Sequence, residues 1–155
     1  MAADWNQVGR IMKDSGIQFG YHNHNFEINS VEGKIPYYDI FMVELDEDLV
    51  TMEFDIFWAI KAGQKSVELF NKYPGRFQLW HMKDMFTNEA PFYTTEGVED
   101  FAPVGEGVIN FKEILAAKDI AGMKYMIVEQ AKTKDGMPFD AIKKSITNLT
   151  AKILV

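Results

Sequence analysis

Val50-Thr51-Met52-Glu53-Phe54-Asp55 is the stretch on which the fold turns. It is a short apolar run that ends in a side chain able to hold a metal, and three further segments are built alike. They are Phe19-Gly20-Tyr21-His22-Asn23-His24, Leu79-Trp80-His81-Met82-Lys83-Asp84 and Tyr125-Met126-Ile127-Val128-Glu129. Each reads as a strand with a metal-competent side chain at its carboxyl end. Side chains alternate faces along a strand, so His22 shares a face with His24, Glu53 with Asp55, and His81 with Lys83. Helical stretches separate the segments, which is the layout of parallel strands joined by crossover helices. Parallel strands point the same way, so all of these polar ends fall on one rim of the sheet. Barrel and open-sheet enzymes place their chemistry on that rim.

Working outward, Asp4 is expected to cap a helix from Trp5 to Ser15, closed by Gly16, and a first strand runs from about Ile17 to His24. Phe26 to Pro36 is turn-rich, with Asn29, Gly33 and Pro36, and reads as a loop. A helix follows from Tyr37 to about Leu45, then the strand Leu49 to Asp55, then helices Ile56 to Ala62 and Ser66 to Tyr73. Ser66 is the expected cap of the second of these, and Pro74-Gly75 ends it. Phe77 to Met82 forms the third strand. Asp84 to Val108 shows no period and carries Pro91, Gly97, Pro103, Gly105 and Gly107, the marks of a long loop. Asn110 caps a helix to about Lys118, Lys124 to Glu129 is the fourth strand, and Asp140 to Val155 closes the chain as an amphipathic helix. Such an α/β chain of parallel βα units fits an open doubly wound sheet or half of an eight-stranded (β/α)8 barrel. No glycine-rich phosphate loop accompanies the strands, which favours the half-barrel.

The chain has 155 residues, one domain's worth, and could bury roughly 70% of its unfolded surface. Its net charge of −7 argues against a nucleic-acid partner, since phosphate backbones call for clustered Lys and Arg. Without cysteine, thiolate catalysis and Cys-ligated zinc are excluded, and only nitrogen and oxygen ligands remain. No apolar run is long enough to span a bilayer, and the first residues have no signal-peptide pattern. The expectation is a cytoplasmic protein without a membrane partner. Asn148-Leu149-Thr150 matches the glycosylation pattern but falls in a helical tail, where it reads as chance.

The site residues each carry a plainer reading. Asp55 could cap the helix that begins at Ile56, His81 could be a hydrogen-bonded core histidine, and Glu129 a satisfied structural carboxylate. Their coincidence at four successive strand ends is what points to chemistry. His22, Asp55, His81 and Glu129 form a ligand set suited to a divalent ion such as Mn²⁺, Co²⁺, Zn²⁺ or Mg²⁺. Lys83 is a candidate for a substrate oxygen, and Glu53 for a partner that supports a ligand from behind. Trp58, Trp80 and Phe57 offer apolar faces for a substrate, although core packing is the plainer role for at least two of them.

The run Gly20-Tyr21-His22-Asn23-His24-Asn25-Phe26-Glu27, with Glu53-Phe54-Asp55, Tyr73-Pro74-Gly75-Arg76, His81-Met82-Lys83-Asp84, Val104-Gly105-Glu106-Gly107 and Val128-Glu129-Gln130, resembles the sugar phosphate isomerase/epimerase family. Those proteins have the xylose isomerase-like TIM-barrel fold. The resemblance extends from about Asp4 to about Leu154 and implies a single domain over 1–155, equivalent to strands five to eight. It also implies that Asp55, His81 and Glu129 hold a divalent metal, with His22 where relatives carry a ligating Glu. His24 then stands near the substrate, and His24 or Glu129 moves a proton alpha to a carbonyl, while Lys83 and Trp58 contact the sugar. The implied function is a metal-dependent sugar or sugar phosphate isomerase/epimerase acting on a small carbohydrate. Alternatives are a keto-sugar lyase working by β-elimination and a half-barrel that binds metal or sugar without turnover. Cleavage at abasic DNA is disfavoured by the acidic balance and three histidines. Because only half of the family barrel is present, the chain is expected either to lack an N-terminal half-barrel or to pair as a homodimer that closes the ring.

Overall fold

The computed structural model describes residues 1–29, 35–87, 101–130, 133 and 136–155. Four strands form one parallel sheet: β1 (Phe19–His22), β2 (Val50–Asp55), β3 (Leu79–Met82) and β6 (Tyr125–Val128), in the spatial order β1-β2-β3-β6. The intervening helices are α1 (Ala2–Asp14), α2 (Asn25–Ile28), α3 (Tyr37–Glu44), α4 (Ile56–Lys61), α5 (Ser66–Lys72), α6 (Phe111–Ala116), α7 (Lys118–Ala121) and α8 (Pro138–Asn148). A two-residue antiparallel ladder, β4 (Asp84–Met85) with β5 (Phe101–Ala102), leaves β3 at its carboxyl end. This is the α/β half-barrel expected from the sequence.

The register decides which side chains meet. His22 pairs with Glu53, Asp55 with His81, and His81 with Ile127. Paired residues share a face, as do residues two apart on one strand. One face therefore carries His22, Glu53, Asp55, His81, Lys83 and Glu129. The other carries Tyr21, Met52, Phe54, Trp80 and Met82, and the helices cover it. Trp5 of α1 packs on Tyr21 and on Phe41 of α3, with ring centroids 4.8 and 5.2 Å away. Phe70 of α5 stacks on Trp80 at 4.9 Å and meets Phe54 edge-on at 5.2 Å. Met52, Phe54, Phe70, Phe77 and Trp80 have no solvent exposure. On the opposite face the far end of β6 stays open, with Tyr125 66% and Ile127 39% exposed.

Several local expectations are corrected by the structure. Helix α1 begins at Ala2, so Asp4 lies in its first turn and pairs with the N-terminal ammonium at 3.0 Å instead of capping it. Lys65, not Ser66, precedes α5. The turn-rich stretch after Phe26 starts with the short helix α2, because the Glu27 carboxylate reaches back to accept from the His24 amide at 3.0 Å. The helix after Asn110, whose side chain does cap it at 3.3 Å, breaks at Ala117 into α6 and α7. Gly122 (φ +76°) ends α7, and a Cβ there would lie 2.8 Å from the Gly75 carbonyl oxygen. The closing helix finishes in a π-helical turn, Leu149–Ile153. Gly33, Pro91 and Gly97 lie outside the described residues. Asn148 is buried and donates to the Val104 carbonyl at 3.0 Å, so its amide is engaged inside the fold.

The stretch from Asp84 to Val108, expected to be a loop throughout, contains the β4–β5 ladder, and Asp84 explains why. Its carboxylate accepts from the amides of Met85, Gly105, Gly107 and Ile109 at 2.8, 2.9, 3.0 and 3.2 Å. That approach leaves no room at Gly107, where a Cβ would meet Asp84 Oδ1 and the Met85 carbonyl oxygen at 2.3 Å. Gly107→Ala is therefore expected to lose about 2–4 kcal/mol of stability, as burying a clash and an unmade hydrogen bond does, read as a lower urea midpoint. Phe54→Ala, which empties a fully packed site, is expected to lose about 3–5 kcal/mol by the same measurement.

Candidate metal centre

The register brings His22, Asp55 and His81 into one cluster at the carboxyl ends of β1, β2 and β3. One ligand atom from each can be chosen so that all lie within 4.8 Å of one another. His22 Nε2 is 3.2 Å from Asp55 Oδ2, and His81 Nδ1 is 3.6 Å from the same oxygen. The remaining nitrogen of each ring faces a carboxylate: His22 Nδ1 is 3.1 Å from Glu53 Oε2, and His81 Nε2 is 2.9 Å from Glu129 Oε2. The two Nδ1 atoms are 3.2 Å apart. Lys83 Nζ lies 2.9 Å from Asp55 Oδ2 and also contacts Glu129 Oε2.

Asp55 is fully buried, and its two oxygens do different work. Oδ1 accepts from the Trp58 amide at 3.0 Å and caps α4, which is the plain reading of this residue. Oδ2 points into the cluster. Lys83 ion-pairs with it at 2.9 Å, and His22 and His81 stand 3.2 and 3.6 Å away. A buried carboxylate oxygen beside two imidazoles is also where a divalent cation could sit. The donor set, two imidazoles and one carboxylate, is a common one for first-row divalent metals.

Charge follows from these contacts. Burial alone would push the Asp55 carboxyl up, but His22, Lys83 and the Trp58 amide together hold its pKa below the ordinary value. For His22, burial works against the charged ring, yet the Asp55 and Glu53 carboxylates outweigh it and raise its pKa. Burial lowers His81, with the Lys83 ammonium and His22 adding to the effect against the pull of Asp55 and Glu129. Burial also pulls Lys83 down, but Asp55 and Glu129 outweigh it and keep its pKa raised. His24 is lowered by burial and by His22 beside it, which favours a neutral ring able to take up a proton.

The other candidate residues are placed around this cluster. The His24 ring lies 5.2 Å from His22 and 5.6 Å from Trp58, and it stacks on Phe26 at 5.9 Å. Trp58 thus borders the cluster. Trp80 and Phe57 are wholly buried, and Trp80 Nε1 donates to the Phe77 carbonyl at 3.0 Å, as core residues do. Glu129 reaches the cluster through the other ring nitrogen of His81 and through Lys83.

Three supporting residues were not singled out from the sequence. Asn23, buried between His22 and His24, accepts from the Asp55 amide at 3.0 Å and so ties the end of β1 to the end of β2. Glu27 holds the His24 amide and the Tyr21 hydroxyl. Asp84 organises the ladder beside Lys83. Asn23 could have been found by alternation, since it must face away from His22 and a buried amide needs partners.

Comparison with known proteins places the fold in a family. The family description of the xylose isomerase-like TIM barrel matches residues 1–151, and the chain belongs to that family. It is 26% identical over 155 residues to an inosose dehydratase of Clostridium beijerinckii, covering 94% of this chain and 51% of that protein. It is 27% identical over 139 residues to the inosose dehydratase of Lacticaseibacillus casei, covering 84% and 46%. Among solved structures, a sugar phosphate isomerase/epimerase from Parabacteroides distasonis superposes with a TM-score of 0.79 at 30% identity, over 97% of this chain and 51% of that one. The IolI protein, whose structure holds a zinc atom, shares the fold with a TM-score of 0.70 at 18% identity, over 96% and 54%. The chain spans about half the length of the curated relatives it matches. Among the described residues, no helix is long and apolar enough to cross a membrane.

Because Asn keeps the oxygen that caps α4 and Ala does not, the two roles of Asp55 separate by mutation. Asp55→Ala is expected to be about 1 kcal/mol less stable than Asp55→Asn in urea unfolding. Both variants are expected to lose divalent-metal binding in equilibrium dialysis. Equal stability of the two would show that the cap contributes nothing.

Proposed function

We propose that this chain carries the metal-binding half of a lyase-type site that removes a proton alpha to the carbonyl of a keto-sugar or keto-polyol and eliminates water. The carrying observation is the convergence of His22, Asp55 and His81 beside a third histidine, His24, whose pKa is lowered. Support for dehydration over isomerisation comes from the several relatives named inosose dehydratase. Support for a sugar-like substrate comes also from the sugar phosphate isomerase/epimerase of similar fold.

His22, Asp55 and His81 would hold the ion. A divalent cation bound there polarises a carbonyl oxygen and so acidifies the neighbouring C–H. His24 stands at the open edge of the cluster, where a neutral imidazole can accept that proton. Lys83 would donate to a substrate oxygen, Glu129 beside it would hold the ammonium there, and the proton taken up by His24 would leave with the departing hydroxyl as water. Trp58 and Phe26 flank His24 and offer apolar faces to a ring carbon. This reading is tested by incubating the metal-loaded chain with an inosose or a keto-sugar in D₂O. Loss of water is expected, with solvent deuterium at the carbon that lost its hydroxyl once the product enol becomes a ketone, and Asp55→Asn is expected to slow the reaction at least ~100-fold, as loss of a metal-held or charge-stabilising group does. Bound metal with neither exchange nor product would favour binding without turnover.

The open face of β6 and the free edges of β1 and β6 leave a ring of strands incomplete. We propose that a second copy of the chain closes it, since a two-fold axis along the barrel would set β6 of each copy beside β1 of the other. Sedimentation at micromolar concentration is expected to give a dimer. A stable, folded monomer would rule the pairing out.

A further inference from the structure

Lys83 is buried, although its ammonium carries three hydrogens that need partners. Asp55 Oδ2, 2.9 Å away, and Glu129 Oε2 pair with it. An aromatic ring also covers it: the centroid of Phe101 lies 5.8 Å from Lys83 Nζ. Phe101 is far along the chain and is brought there by β5, where it pairs with Met85 of β4. A ladder of two residues per strand is too short to hold itself. The Asp84 carboxylate supplies the hold by gathering the amides of Met85, Gly105, Gly107 and Ile109. Phe101 is braced in turn by other rings. It packs on Phe57 at 4.7 Å, Phe57 on Trp58 at 4.9 Å, and Trp58 on His24 at 5.6 Å. One row of rings therefore runs from Lys83 to His24, the two groups that the lyase reading sets on the substrate.

We propose that Phe101, set in place by Asp84, is a positioning residue for Lys83. Its ring shields the ammonium from water and keeps it against Asp55 and Glu129, which leaves one N–H in a fixed direction for a substrate oxygen. The consequence for catalysis rests on the lyase reading, whereas the hold on Lys83 does not. A cation over an aromatic face is favoured most where both are desolvated, and Lys83 and Phe101 are both buried. A lysine ammonium on its flexible stem otherwise samples many directions, and a donor fixed in advance stabilises developing charge better than a mobile one.

Chemical labelling requires the ammonium to leave its partners, so reductive methylation of the folded chain, read lysine by lysine by mass spectrometry, reports the hold directly. In Phe101→Leu, Lys83 is expected to be labelled about 3–30-fold faster, the equilibrium worth of a desolvated cation–π contact. Phe101→Tyr keeps the aromatic face and is expected to stay within about twofold of the unaltered chain. Asp84→Asn turns an N–H donor toward the gathered amides and is expected to release Lys83 as Phe101→Leu does. Lys61, buried on α4, is the internal control and should keep its rate in every variant. With an inosose or a keto-sugar as substrate, kcat/KM is expected to fall about 3–30-fold in Phe101→Leu and to be kept in Phe101→Tyr. Unchanged labelling of Lys83 in Phe101→Leu, or equal acceleration at Lys61, would overturn the proposal, as would faster labelling with kcat/KM unaltered. Should circular dichroism show Phe101→Leu unfolded, Asp84→Asn decides in the same way. If the unaltered chain turns over no such substrate, the lyase reading falls, and labelling alone decides whether Phe101 holds Lys83.

Discussion

A fully buried carboxylate governs the arrangement of everything near it. Asp55 cannot be left ionised in an apolar interior without partners, and the chain supplies them from four directions. The Trp58 amide takes one oxygen, and His22, His81 and Lys83 surround the other. Asn23 fixes the Asp55 backbone from the neighbouring strand. The start of α4, the end of β1 and the end of β3 are thereby referred to one residue. The same demand that stabilises the strand ends also gathers the groups able to hold a cation.

Parallel pairing does the rest. Crossover helices bring every strand back in the same direction, so carboxyl ends that are far apart in sequence become neighbours in register. His22 and His81 are separated by two strands' worth of chain yet lie with Nδ1 atoms 3.2 Å apart. The apolar residues at alternate positions follow the same rule and meet the helices on the other side. Phe54, Phe70, Phe77 and Trp80 form that layer through aromatic contacts of 4.9–5.2 Å.

Much of this was legible in the sequence because it depends on period and order. The strands around Val50–Asp55 and Leu79–Met82, the helix from Tyr37 and the cap at Asn110 are local patterns, and the structure shows them close to where those patterns put them. The dual use of Asp55 was half-visible, since both of its roles could be named but not that each takes a separate oxygen. Less was legible where long-range contacts decide. The β4–β5 ladder exists because the Asp84 carboxylate collects amides more than twenty residues away, which no local periodicity records. Helix α2 depends on Glu27 reaching back to His24, a single side-chain contact in a stretch whose composition favours turns. The pairing of each histidine with its own carboxylate needs the register, and the register needs all three strands.

Helices on one face and ionisable groups on the other have an evolutionary corollary. The residues that make the chain fold and those that would select a reaction occupy opposite sides of the same strands, at odd and even positions of each segment. Exchange at a position on the ionisable face can retune donors, acceptors and cation without disturbing the aromatic layer behind it. Descendants of one scaffold can therefore diverge in chemistry while keeping a common skeleton, as the differing names of proteins similar to this one suggest.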